Sequence, residues 1–196
     1  QDDFDAVYLA IGSWTPTPMH LDGENSEGVI TGIRYLEQVA KDVDPLPGDR
    51  VVVIGGGNTA IDCARTALRR GAARVTLLYR RTRDEMPAES HEVDDAAAEG
   101  VELILLTAPS AIIRTPDGLV LRCLRMELGE PDRSGRRRPI PIEGGEFELP
   151  ASLVIGAIGQ STNTQFLYHD LPVGLNKWGD IQVDGATMQT SELKIF

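Results

Sequence analysis

The chain has no long apolar run. None of its 196 residues falls in a stretch approaching the ~18 residues that a membrane helix needs, so no span is predicted. Cysteine is scarce: Cys63 and Cys123 are the two present. They form no C-x-x-C pair and lack the spacing of a metal or iron–sulfur site. A disulfide scaffold and a dithiol redox centre are thereby excluded. Both thiols fit a reducing cytoplasm, and Cys63, on a predicted helix, reads as a buried small residue. His20, His91 and His169 are scattered and read as surface or structural residues, with no metal site. Positive charge is also short: 19 Lys and Arg against 30 Asp and Glu leave a net charge of −11. That argues against a nucleic-acid-binding face. Neither an initiator Met nor a signal peptide is present. The chain opens on Gln1, just before a predicted strand, and stops at Phe196. Both ends are read as internal to a longer polypeptide.

What is present is ordinary for a globular domain: 41% hydrophobic and 25% charged residues. The informative stretch is residues 51–60, Val-Val-Val-Ile-Gly-Gly-Gly-Asn-Thr-Ala. A buried strand enters a glycine turn and then a helix. Gly55-x-Gly57-x-x-Ala60 is the G-x-G-x-x-G/A dinucleotide fingerprint. Gly55 permits the tight turn, and Gly57 lets the backbone approach a pyrophosphate. Ala60 lets the helix pack closely on the sheet. The helix starts near Asn58 or Thr59, so its free N–H groups and positive dipole end face the phosphates. Ile61, Ala64 and Leu68 share one helical face, and Gly71 ends the helix. The next strand, Arg74–Tyr79, runs into Arg80, Arg81 and Arg83. An NAD site places an acid here for the ribose 2′-hydroxyl. Guanidinium groups suit a 2′-phosphate instead, so the pattern points to NADP(H).

Elsewhere the pattern predicts a strand at Ala6–Ile11 and a helix at Ile33–Lys41. Pro45, Pro47 and Gly48 form the turn that delivers the chain to strand Arg50–Ile54. A helix over Ala88–Glu99 and a strand over Val101–Leu106 follow. Strands Ala111–Arg114 and Leu119–Leu128 are joined by the turn Thr115–Gly118. Gly129–Arg138 reads as a polar loop before Pro139–Phe147. Together these form an antiparallel meander attached to a parallel sheet. Arg133 and Arg136–Arg138 in that loop read as a solvated hairpin tip in preference to an anion or partner patch. Ala151–Ile155 is a buried strand leading into Gly156–Gly159. Leu9-Ala-Ile-Gly12 and Gly156-Ala-Ile-Gly159 echo each other on either side of the glycine-turn unit.

Val51–Arg65, Tyr79–Ala88 and the tail from Ala157 through Ser191 resemble the glutamate synthase small-subunit family, over nearly the full length. The resemblance implies an α/β fold: a Rossmann-like three-layer ββα sandwich with a central parallel sheet and an antiparallel meander. It is the two-dinucleotide-domain flavoprotein fold, in which an NAD(P)H domain is inserted within an FAD domain. Residues 1–14 would be the edge of the FAD domain, 15–159 the NADPH domain, and 160–196 the returning FAD domain. The chain ends before the Gly-Asp motif that contacts FAD, and the FAD-pyrophosphate motif and cysteine clusters are also missing. The implied cofactors are NADP(H), with FAD and iron–sulfur clusters mostly or wholly outside this stretch. The implied partners are the flavin domain of the same polypeptide and a large catalytic subunit or electron-acceptor protein.

Residue by residue, Gly55, Gly56, Gly57, Asn58 and Thr59 match the pyrophosphate turn. Arg80 and Arg81 match the 2′-phosphate clamp, with Arg83 a third contact. Ala157, Ile158 and Gly159 lie in the second loop, across the cofactor near the nicotinamide. Asp62 resembles a helix carboxylate placed near the nicotinamide amide, or is simply an acid favoured by the helix dipole. Glu85, Met86 and Pro87 match the family signature without a cofactor role. No residue of this stretch is assigned to catalysis, because the cofactors carry the chemistry, and the stretch alone is expected not to turn over. The competing reading is a nucleotide-sensing or docking module without redox turnover. A thioredoxin reductase-type enzyme would need the absent C-x-x-C.

Overall fold

A computed structural model of the chain describes residues 4–43, 48–132, 135–165 and 173–196. Pro45, Pro47, Arg133 and His169 lie outside the described residues. In chain order the elements are β1 (Thr15–Pro16), β2 (Val29–Thr31), α1 (Gly32–Ala40), β3 (Arg50–Ile54), α2 (Asn58–Arg69) and β4 (Arg74–Leu78). A 3-10 turn at Arg83–Glu85 precedes α3 (Ser90–Glu99) and β5 (Glu102–Ile104). Then come β6 (Thr107–Thr115), β7 (Gly118–Pro131), β8 (Arg137–Ala151), β9 (Leu153–Gly156) and β10 (Gln160–Ser161). The chain divides into two compact units, Pro16–Gly159 and the pair of segments Gln1–Thr15 with Gln160–Phe196.

The larger unit is built on a five-stranded sheet in the order β2-β9-β3-β4-β5, with every pair parallel. Strand β3 is β-branched throughout its Val-Val-Val-Ile run, as suits a strand buried on both faces. Its alternation divides the core. Val51 and Val53 face the helical layer, where Tyr35, Ile61, Ala64, Ala67, Val93 and Ala96 are buried. Val52 and Ile54 face the other way, onto Ile112, Leu119, Leu121 and Cys123 of the three-stranded antiparallel sheet β6-β7-β8. The result is the predicted three-layer ββα arrangement.

The meander is more regular than the sequence suggests. Strand β7 runs to Pro131 and β8 starts at Arg137, with Leu128 opposite Pro139 and Pro131 opposite Arg137. Residues 129–131 and 137–138 of the predicted loop Gly129–Arg138 are therefore strand. Pro139, Pro141 and Pro150 are compatible with β8 because it is an edge strand, where a missing N–H removes no obligatory ladder bond. Ala151 closes β8 and does not open β9. The break falls at Ser152, whose Oγ accepts the Arg50 N–H at 2.9 Å and donates to the Arg50 carbonyl at 2.8 Å. Strand β5 stops earlier than predicted, two residues before Leu106, which has φ +49°.

In the smaller unit, Ala6–Ile11 is not the regular strand that its apolar run predicts. Val7 makes one parallel bridge to Ile195, and the Leu9 N–H reaches the Phe196 carbonyl at 2.6 Å. Val173 and Ile195 are buried there, while Phe4, Tyr8, Trp14, Trp178 and Leu193 are exposed.

Candidate functional site

Strands β3 and β9 are neighbours in the sheet, and the strand order reverses between them: β4 and β5 follow on one side, β2 on the other. Open parallel sheets bind ligands at the carboxyl ends of the strands at such a switch point. The loops leaving those two ends are Gly55–Gly57 and Ala157–Gly159. Gly55 has φ +147°, and a Cβ there would lie 2.2 Å from the Ala157 carbonyl oxygen. The Ala157 N–H in turn donates to the Ile54 carbonyl at 2.8 Å. The structure thus brings together the two loops that the sequence placed a hundred residues apart, and glycine is the condition of their approach. Beyond them, Ala157 is half-buried, whereas Ile158 and Gly159 are exposed.

The other glycines of the turn serve different ends. A Cβ on Gly56 would strike the Tyr79 ring at 2.5 Å. Gly57 has ordinary extended dihedrals, φ −96° and ψ 176°, and a Cβ there would meet nothing nearer than Pro87 Cγ at 3.7 Å. Its bareness serves no packing need. It leaves space over the start of α2, the volume that a pyrophosphate would take. Gly57 is also the N-cap of α2, and no side chain caps that first turn. A helix end so placed is a ready anion site.

Asn58 faces elsewhere: its Oδ1 accepts the Glu89 N–H at 3.0 Å. The Ala88 N–H donates to the Gly56 carbonyl at 3.1 Å, and the Tyr79 hydroxyl donates to the Glu85 carbonyl at 2.6 Å. The signature Glu85-Met86-Pro87-Ala88, left without a role by the sequence, is therefore the brace of the glycine turn. One signal was available: Thr82-x-x-Glu85 has capping-box spacing. Glu85 Oε2 accepts the Thr82 N–H at 3.1 Å and the Thr82 hydroxyl. The Thr82 hydroxyl, and secondarily Arg137, holds the Glu85 carboxyl below the ordinary carboxylate range.

The three arginines after β4 separate. Arg80 is exposed and makes no hydrogen bond or ion pair among the described residues. Arg81 is 4% exposed and faces away from solvent, contrary to the clamp role that the resemblance implies. Its Nε donates to the Arg137 carbonyl at 2.7 Å and its Nη2 to Asp132 Oδ2 at 2.9 Å. Arg80 and Arg81 both lie in the bend that follows β4, where Arg80 is exposed and Arg81 buried. Arg83 Nη2 donates to the Ser90 carbonyl at 3.2 Å and to Asp94, joining the start of α3. Asp62 is exposed on α2 and makes no hydrogen bond among the described residues.

Cys63 lies beneath the turn with its Sγ 3.6 Å from the Gly32 carbonyl. Burial, then the charge of Asp62, pushes its thiol up to about 12. Burial does the same for Cys123, to about 12. His20 and His91 are exposed. Among the described residues no group of three or more His, Cys, Asp or Glu side chains could hold a metal ion, and no helix is long and apolar enough to cross a membrane.

A profile of the pyridine nucleotide-disulphide oxidoreductase family matches residues 1–196. The chain belongs to this family. It is 47% identical over 200 residues to the NADP(+)-dependent formate dehydrogenase subunit beta of Moorella thermoacetica, covering 100% of this chain and 28% of that protein. It is 36% identical over 210 residues to the glutamate synthase [NADPH] small chain of Escherichia coli, covering 99% of this chain and 44% of that protein. The chain thus spans well under half the length of these curated relatives. Among solved structures, FprA, an oxidoreductase from Mycobacterium tuberculosis, superimposes with a TM-score of 0.75 at 22% identity, covering 98% of this chain and 57% of that one. That match bears out the flavoprotein fold. The resemblance to glutamate synthase small subunits is borne out by the relatives.

Proposed function

We propose that this chain is the NADP(H)-binding part of an FAD-dependent oxidoreductase of the glutamate synthase small-subunit type. The observation that carries the reading is the switch point itself: Gly55 seated under the Ala157 carbonyl, bare Gly57 over the first turn of α2, and an exposed Arg80 at the end of the second strand. The residues fit the group. Gly57 provides the cradle that a Cβ would fill, and a cation stands where a carboxylate would repel a 2′-phosphate.

In this reading the backbone of Gly55–Thr59 and the dipole of α2 hold the pyrophosphate. Arg80 pairs with the 2′-phosphate. Ala157, Ile158 and Gly159 line the nicotinamide side, and Asp62 lies one helical turn along on the same approach. Arg83 fixes the turn between β4 and α3. Held there, NADPH would supply hydride chemistry toward an FAD of the flavin domain of the same polypeptide, with iron–sulfur clusters and a large subunit or acceptor protein as the onward partners. The words "subunit beta" and "small chain" in the names of the relatives support such a partner. In this reading the protein works in the cytoplasm, which suits two free thiols.

Calorimetric titration with NADPH and with NADH tests the reading. Binding of NADPH at least ten-fold tighter, about 1.4 kcal/mol, is expected. Equal affinities would leave only a generic dinucleotide site. Binding of neither, in this chain and in the longer polypeptide alike, would overturn it.

A further inference from the structure

The hairpin between β7 and β8 is fastened to the segment that follows β4. Buried Arg81 reaches across to the Arg137 carbonyl and to Asp132. Arg137 returns the contact: its Nε donates to Glu85 Oε1 at 3.2 Å. The tip is closed on itself by the Asp132 N–H to the Arg136 carbonyl at 2.7 Å and the Gly135 N–H to the Asp132 carbonyl at 2.9 Å. Arg137 is thus held by main chain and side chain alike against residues 81–85. Its side chain remains 52% exposed, while that of Glu85 is 11% exposed. Only Nε is engaged; the two Nη groups carry no hydrogen bond among the described residues. Those Nη groups form the edge of the guanidinium fork that takes a phosphate bidentately.

We infer that Arg137, carried in from the meander and oriented by Glu85, is the second cation of the 2′-phosphate site, beside Arg80. Arg81 is then a positioning residue that pins the hairpin in place. The inference rests on the NADP(H) reading above and replaces one of the two arginines that the resemblance assigns to the clamp. Three facts converge on it. The chain carries a net charge of −11, so a held, half-exposed cation with a free Nη edge stands out. The cation abuts the turn that begins at Arg80. Glu85 sits between Thr82 and Arg137 as an anchor, which fixes the guanidinium and lowers the entropy lost on gripping an anion.

The probes are adenosine 2′,5′-bisphosphate and 5′-AMP, which need no flavin domain and differ in the 2′-phosphate alone. The chain is titrated with each, together with Arg137→Ala, Arg137→Lys and Arg138→Ala, and all are checked for unchanged thermal unfolding. Arg137→Ala should weaken the bisphosphate at least five-fold and 5′-AMP by less than two-fold. Arg137→Lys should recover part of the loss. Arg138→Ala removes the same charge one residue along, on the other face of the strand, and should change the ratio by less than two-fold. A parent chain that prefers the bisphosphate, with a preference that survives Arg137→Ala, would overturn the inference alone. Equal losses in Arg137→Ala and Arg138→Ala would also overturn it, by showing a diffuse field in place of a contact. A parent chain that does not distinguish the two probes would sink the NADP(H) reading and this inference with it.

Discussion

Gly55 and Gly57 sit two residues apart in one motif, yet the structure gives them opposite reasons to be glycine. Alanine at each position separates the two. At Gly55 the new Cβ would sit 2.2 Å from the Ala157 carbonyl oxygen, at φ +147°. Backbone, not a flexible side chain, blocks it. The dihedral strain costs about 1–3 kcal/mol and the overpacking about 1–3 kcal/mol, for a total of about 2–6 kcal/mol. At Gly57 the Cβ has room, 3.7 Å from Pro87 Cγ, and the dihedrals suit any residue. The only penalty is the poorer N-cap, about 1 kcal/mol. A domain of this size loses about 2–4 °C in Tm per kcal/mol. Gly55→Ala should therefore fall by about 4–24 °C and Gly57→Ala by about 2–4 °C. Binding should order them the other way among folded molecules: Gly57→Ala fills the pyrophosphate space and should lose at least ten-fold in NADPH affinity, about 1.4 kcal/mol. Calorimetric unfolding and titration on the same samples read both. If Gly57→Ala binds NADPH as the parent does, the pyrophosphate does not cross that residue. If it unfolds as early as Gly55→Ala, Gly57 is a constraint of the fold and the cradle argument fails.

Other consequences are as direct. Removing Arg81 leaves Asp132, whose side chain is 25% exposed, without its buried partner and frees the hairpin; Arg81→Ala should cost about 2 kcal/mol, or about 4–8 °C in Tm, and a fall under about 1 °C would show that the strut is idle. Hydrogen bonds from Arg65, then Arg69, hold Glu99 down to about 2 from its ordinary 4.5. A depressed carboxylate stabilises fully above its unfolded pKa and loses that effect as pH falls through the folded value. Stability should therefore drop between about pH 4.5 and 2. Acid unfolding of Glu99→Gln should lack part of that drop, and superimposable curves would refute it. With both thiols buried and raised to about 12, Cys63 and Cys123 should resist Ellman's reagent at pH 8 in the folded chain and both react in guanidinium. Rapid labelling of either in the native state would contradict the packing.

The central sheet was legible because its signals are local. The run Val51–Ile54, the glycines after it and the apolar face of α2 each act within a few residues of themselves. The meander was legible in kind and not in extent. Gly129–Arg138 reads as loop from its polar residues, yet residues 129–131 and 137–138 are strand, and the prolines of β8 are tolerated because it is an edge strand. Ala6–Ile11 failed for the opposite reason. Its apolar run has the composition of a strand, but a strand is made by its partner, and here the pairing is a single bridge from Val7 to Ile195.

The site divides in the same way. Which loops meet at the switch point follows from the fingerprint and from the family resemblance, which sets the loop Ala157–Gly159 across the cofactor from the glycine turn. The arrangement of the arginines does not. A run of Arg80, Arg81 and Arg83 reads as one cationic patch, but the bend after β4 leaves Arg80 exposed and Arg81 buried. Which of two neighbours is buried depends on what lies beneath, here Asp132 and the Arg137 carbonyl from a hairpin fifty residues away. Sequence proximity therefore concealed that Arg81 is buried against the hairpin while Arg80 stays exposed.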